Sequence, residues 1–164
     1  MMKGPLFYSK ILLFGEYGII EDSKGLSIPY NFFKGALKLP DSPSEKSKQS
    51  NLILIDFCSY LKQIGDLDLD LILFEKHINE GLYFDSSIPK GYGVGSSGAL
   101  VAAVYDKYSN NKITVLENLT REKLLKLKII FSKMESFFHG KSSGLDPLNS
   151  YLSIPILIKS KDDI

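Results

Sequence analysis

The chain has 164 residues, 44% of them hydrophobic, with ten Phe and nine Tyr, which is enough apolar material to bury the core of one soluble globular domain. Twenty basic side chains against nineteen acidic ones leave a formal net charge of +1, and Arg121 is the single arginine, so no broad field or base-reading set points to nucleic acid or a membrane surface. One cysteine, Cys58, rules out an intrachain disulfide and is expected as a core thiol; no run approaches a membrane span and no signal peptide is evident, so a cytoplasmic location is expected.

The first predicted element is a strand over Phe7–Phe14, a compact apolar run closed by Gly15, with Glu16 emerging from its end. A second extended segment covers residues 26–39. Residues 40–50 are polar and rich in turn formers, and read as a surface loop. Leu54, Phe57, Leu61 and Ile64 recur at helical spacing over 52–64, whereas the alternation of Leu67, Leu69 and Leu71 with aspartates suggests a short strand before another helix.

Residues 83–88 read as a strand, 91–98 as a glycine-rich turn, and 99–108 as a buried helix starting at that turn. Thr120 is a good N-cap for an amphipathic helix whose apolar residues fall at Leu124, Leu127, Phe131, Met134 and Phe138. That helix stops at His139-Gly140. After a loop over 141–144, Asp146-Pro147 reads as the N-cap and first residue of a short helix, and 154–158 closes the chain as a strand. No internal repeat or low-complexity tract appears. The expected fold class is α+β, a mixed sheet packed with helices.

A strand, a glycine turn and a helix start make an anion site, because backbone amides free of side chains converge with the positive end of the helix dipole. Here Pro89-Lys-Gly-Tyr-Gly-Val-Gly-Ser-Ser-Gly98 supplies four glycines and two serines, and a serine hydroxyl there can also ligate Mg²⁺. On local grounds a flexible structural loop is an equal alternative. Gly93-Val-Gly-Ser-Ser-Gly98 matches the dinucleotide fingerprint formally, but Pro89-Lys-Gly-Tyr intervenes after the strand. The next acid, Asp106, lies inside the following helix rather than about twenty residues on. No Gly-Lys-Ser/Thr follows the loop, which excludes the Walker sequence.

Gly91-Tyr-Gly-Val-Gly-Ser-Ser-Gly98 resembles the second motif of the galactokinase, homoserine kinase, mevalonate kinase and phosphomevalonate kinase (GHMP) superfamily, P-x-G-x-G-L-G-S-S-A. Val94 replaces the usual Leu and Gly98 the usual Ala, both mild departures in size. Ser9-Lys-Ile-Leu-Leu-Phe-Gly-Glu-Tyr17 resembles the first mevalonate kinase motif, G-K-x-x-L-x-G-E-H, with Tyr17 in the place of the histidine. Glu135-Ser-Phe-Phe-His-Gly-Lys-Ser-Ser-Gly-Leu-Asp146 resembles the stretch E-x-x-x-H-G-x-x-S-G-x-D at every fixed position.

The resemblance implies the fold of the N-terminal, ribosomal protein S5 domain 2-like domain of these kinases, and phosphoryl transfer from ATP to the hydroxyl of a small metabolite, mevalonate first. By the same resemblance Gly91, Gly93, Val94, Gly95, Ser96, Ser97 and Gly98 hold ATP, Ser97 and Glu135 hold Mg²⁺, Lys10 and Asp146 are catalytic and lie near each other, and Glu16 and Tyr17 contact substrate. Each residue also has a plain reading: Lys10 as an edge-strand gatekeeper, Glu135 as the partner of a lysine, Asp146 as a helix cap, and His139 as a capping or core histidine. Other functional expectations are a different kinase of the superfamily, acting on phosphomevalonate, homoserine or a sugar, or a silent module that binds ATP. Residues 1–164 are expected to form the ATP-binding domain of a kinase whose second domain lies outside this sequence, with a homodimer possible for the full-length protein.

Overall fold

The structure is a computed structural model and describes residues 4–15, 24–114, 118–159 and 164. Its elements run β1 (Phe7–Phe14), β2 (Gly25–Lys38), α1 (Glu45–Ile64), α2 (Leu71–Asn79), β3 (Tyr83–Ser86), α3 (Ser96–Tyr108), α4 (Arg121–His139), α5 (Leu145–Leu152) and β4 (Ile156–Ile158). The fold is α+β, a sheet packed against helices, as expected from the sequence; the named strand pairs are all antiparallel, where a mixed sheet was expected. Strand β2 is long enough, at 14 residues, to carry the whole sheet. It pairs with β1 along one edge, and with β3 and β4 at opposite ends of the other.

Strand β1 is an edge strand among the described residues, and the glycine-rich turn covers that edge: the Lys10 amide donates to the Val94 carbonyl at 3.0 Å. A register shift between Tyr8 and Ser9 breaks the in-out alternation, and Ser9 and Lys10 are both buried as a result. At 8% exposure, Lys10 is no gatekeeper. Its position on a sheet edge is genuine, but the side chain points into the protein.

Helix α3 is the axis of the core. Gly98 to Tyr105 are all buried, which explains why this segment is apolar all round rather than on one stripe. It packs on α5, on β1 and β2, and on α4. Tyr105, Phe131 and Tyr151, from α3, α4 and α5, meet edge to face with centroids 5.1–5.5 Å apart, and the Tyr151 hydroxyl donates to the Ile113 carbonyl at 2.8 Å. This cluster locks together the three helices that carry the candidate site. Cys58 is buried, as expected.

Several boundaries move. Helix α1 starts at Glu45, inside the segment read as a loop, because Ser44 and Ser47 form a reciprocal capping box that closes its first turn. Polar composition alone does not separate a solvated helix start from a loop. The aspartate–leucine alternation at 67–71 makes only an isolated bridge, Leu69 to Ser109, before Asp70 caps α2 through the Leu73 amide at 2.9 Å. Strand β3 ends at Ser86 and β4 begins at Ile156, both shorter than expected.

Candidate active site

Helix α3 begins at Ser96, three residues before the apolar run that marks it in the sequence, so Ser96, Ser97 and Gly98 lie in its first turn rather than in the loop. Gly95 occupies the N-cap in the left-handed region (φ 84°), and Gly91 and Gly93 share that sign (φ 80° and 67°). No side chain caps the helix, which leaves its first amides facing outward as hydrogen-bond donors. Two constellations flank this start.

One is an ion pair. Lys10 Nζ lies 2.9 Å from Asp146 Oδ1, with the lysine side chain 10% exposed and the aspartate 36%. Gly95 sits directly over the lysine stem, where an added Cβ would come within 3.1 Å of Lys10 Cγ. Asp146 is not the N-cap of its helix. Gly144 takes that place with a left-handed backbone (φ 76°), so Asp146 falls in the first turn, where the helix dipole favours a carboxylate, and its side chain is committed to Lys10 instead of to a cap.

Asp146 is also held very close to α3. A Cβ on Gly98 would meet the Asp146 carbonyl carbon and the Pro147 nitrogen at 2.8 Å, and Asp146 Cβ at 3.0 Å. The exchange of the family's alanine for Gly98 is therefore not a mild one: the α3–α5 contact is closed to any side chain at this position.

The second constellation centres on Glu135, which is only 3% exposed near the end of α4. The Ser97 hydroxyl donates to its Oε1 at 3.1 Å and the Ser142 hydroxyl donates to its Oε2. Burial pushes its pKa above the ordinary carboxylate value and the nearby Asp146 charge adds to this, while the two serine hydroxyls and His139 act against it. Its hydrogen-bond partners among the described residues are hydroxyls, and the lysine partner suggested by its place on the helix is not among them. His139 is neither a core residue nor a backbone cap. It is exposed at the end of α4, with Nε2 3.0 Å from Ser97 Oγ.

Beside Ser96 and Ser97 opens a cavity of about 590 Å³ with an apolar floor that includes Ile53, Phe84, Ile88 and Leu100, and with Lys46 and Lys90 at its wall. Its size is that of a small-molecule site, and its apolar floor is ringed by polar and charged side chains that could fix a ligand's orientation. Among the described residues no set of three His, Cys, Asp or Glu could hold a metal, so a cation here would rest on Glu135 and Ser97 and draw its other ligands from a bound phosphate or water. The residues fit that role, since a buried carboxylate with its charge disfavoured and a hydroxyl alongside are a hard-cation donor pair.

The structure thus brings together Lys10, Gly95, Ser97, Gly98, Glu135 and Asp146. Glu16 and Tyr17 lie outside the described residues. Two neighbours of the candidate site were not expected there from the sequence: Ser142, which was not singled out, and His139, which was read as a capping or core histidine. His139 carries a signal, its fixed place in the Glu135–Asp146 pattern, but Ser142 stands at a variable place and beyond the helix end, where no periodicity relates it to Glu135. Among the described residues no helix is long and apolar enough to cross a membrane. No curated protein matches the chain. The sequence model for the GHMP kinases N terminal domain matches residues 58–153, more than half of the chain and the span that carries the glycine-rich turn, Glu135 and Asp146, and the chain therefore belongs to the GHMP kinase family of ATP-dependent small-molecule kinases.

Proposed function

We propose that the chain binds Mg·ATP at the start of α3 and transfers the γ-phosphoryl group to the hydroxyl of mevalonate. The observation that carries this reading is the Lys10–Asp146 ion pair, with its lysine buried and its aspartate partly exposed, set against the first turn of a helix whose amides are uncapped. An ion pair in that position serves little purpose for stability, since removing two charges from water costs about as much as their attraction returns. It does suit a hydroxyl that must approach a phosphate.

In this reading the amides of the turn and of the α3 start bind the phosphate oxygens, and the 590 Å³ cavity receives the nucleoside against its apolar floor. Ser97 and Glu135 hold the cation, which when bound offsets charge on the phosphates. Asp146 accepts the hydrogen bond of the substrate hydroxyl, aims its oxygen at the phosphorus and receives the proton as the new oxygen–phosphorus bond forms and the bond from the γ-phosphorus to the bridging oxygen breaks, releasing ADP. Lys10, fixed 2.9 Å from Asp146, stabilises the negative charge that collects on the transferred group. Phosphoryl transfer passes through a loose transition state, so positioning and electrostatics account for most of the rate and a strong base is not required.

Mevalonate is preferred as acceptor because the pattern from Glu135 to Asp146, including His139-Gly140, matches the mevalonate kinase stretch at each fixed position. A coupled assay of ADP release against mevalonate, phosphomevalonate, galactose and homoserine tests this. The expected result is turnover with mevalonate at a kcat/KM at least tenfold above the other three. A preference for any other acceptor would replace mevalonate, and calorimetric ATP binding without ADP release on any of them would mark the chain as a silent binding module.

A further inference from the structure

Glu135 is held by two serines, and their surroundings are alike. Ser142 Oγ donates to Glu135 Oε2 and accepts from the Gly144 amide at 3.0 Å. A backbone amide can only donate, so the single hydroxyl proton of Ser142 is forced onto the carboxylate. Ser97 Oγ stands in the same relation to Glu135 Oε1 at 3.1 Å, and the place of the amide is taken by His139 Nε2 at 3.0 Å. An imidazole nitrogen can donate or accept, so the direction of the Ser97 proton depends on which ring nitrogen of His139 carries hydrogen.

We infer that His139 is a positioning residue for the Ser97 hydroxyl: it donates from Nε2–H to Ser97 Oγ, turns the hydroxyl proton onto Glu135, and leaves Ser97 with one outward lone pair. A hydroxyl has one proton and two acceptor sites. With the proton given to Glu135 and one acceptor site filled by His139, what remains can ligate a cation but cannot donate to a phosphate oxygen. The reverse arrangement, Ser97 donating to an unprotonated Nε2, would strip Glu135 Oε1 of its donor in a site where the carboxylate is almost fully buried. His139 is well placed for this because it is the last residue of α4, one helical turn past Glu135, so both reach Ser97 from the same side of the helix.

This inference rests on the reading that Mg·ATP docks at the start of α3, but it can be tested apart from it. In the ligand-free chain at pH 8, long-range ¹H–¹⁵N spectra of the histidine rings should show a hydrogen-bonded, slowly exchanging Nε2–H on His139. That signal should be lost in Ser97→Ala. A ring bearing its proton on Nδ1, or an Nε2–H that exchanges freely in both proteins, overturns the inference whether or not nucleotide binds.

Calorimetry of folded variants supplies the second arm. His139→Ala should weaken Mg·ATP binding about fivefold, the worth of one hydrogen bond, and leave ATP binding in EDTA within twofold of wild type. Glutamine, whose amide nitrogen reaches the place of Nε2, should restore Mg·ATP affinity to within twofold. The Ser97→Ala/His139→Ala double variant should bind no more weakly than Ser97→Ala alone. Equal losses with and without Mg²⁺, or additive losses in the double variant, would show that His139 acts on the nucleotide directly and overturn the positioning role. A wild-type chain that binds no ATP would instead defeat the proposed function, with the ring spectra still deciding the role of His139.

Discussion

Glu135 is 3% exposed, and burial lifts its pKa above the ordinary value of 4.5. A folded-state pKa above the unfolded one means that the folded chain holds this proton more tightly. The contribution of Glu135 to stability is therefore fully present below its ordinary pKa and is lost as pH rises through the folded one. Glu135→Gln lacks this titration. Its melting temperature relative to wild type, measured without divalent cations, should rise between pH 4 and pH 7, and turnover should fall at least a hundredfold. Parallel stability curves for the two proteins would show that the carboxylate is not strained by its site.

Asp146 and Gly98 separate the chemistry from the packing that positions it. Since Asp146 does not cap its helix and its partly exposed pair with Lys10 is worth little to stability, Asp146→Asn should unfold within about 1 kcal/mol of wild type. Its kcat should drop by roughly 10²–10⁴. Gly98→Ala touches no charge, yet its Cβ would collide with the backbone of Asp146 and Pro147. A cost of about 1–3 kcal/mol in urea unfolding is expected, with kcat reduced more than KM because Asp146 moves against Lys10. An alanine variant as stable and active as wild type would mean that α5 can retreat freely.

At the scale of elements, the segments with strong periodicity or an uninterrupted apolar run were legible in the sequence: β1, the body of α1, α3, and α4 with its Thr120 cap. The ends of elements were less so. The start of α3 hides in Ser96-Ser-Gly98, residues that favour loops, and is decided by the close approach of Gly95 to β1 and of Gly98 to α5. The start of α1 is decided by hydroxyl geometry at Ser44 and Ser47, which composition does not report. Removing that cap in Ser44→Ala should cost about 1 kcal/mol in chemical denaturation and leave kcat unchanged, since Ser44 itself does not line the cavity.

For the molecule as a whole, a ligand that binds the folded chain must raise its melting temperature. At a Mg·ATP concentration of about 100 times Kd the stabilisation is about 2.7 kcal/mol, which for a chain of this length corresponds to a rise of roughly 5–10 °C. Scanning fluorimetry with Mg·ATP, Mg·ADP and ATP in EDTA should rank them in descending order with the metal-free form lowest. No shift at saturating nucleotide would remove the basis of the α3 site. The sequence alone was sufficient to place the α+β class and to single out the residues of the candidate site, because the glycine turn and the pattern from Glu135 to Asp146 are local spacings along the chain. That Lys10, from the first strand, meets Asp146 near the other end of the chain follows in the sequence from the family resemblance and from no spacing, and nothing in the sequence could decide that Gly98 admits no side chain or that Ser142 and His139 complete the shell of Glu135. Those depend on how closely α3, α4 and α5 pack around the Tyr105–Phe131–Tyr151 cluster, and the approach of three helices is set by the complementarity of their whole surfaces rather than by any spacing along one of them.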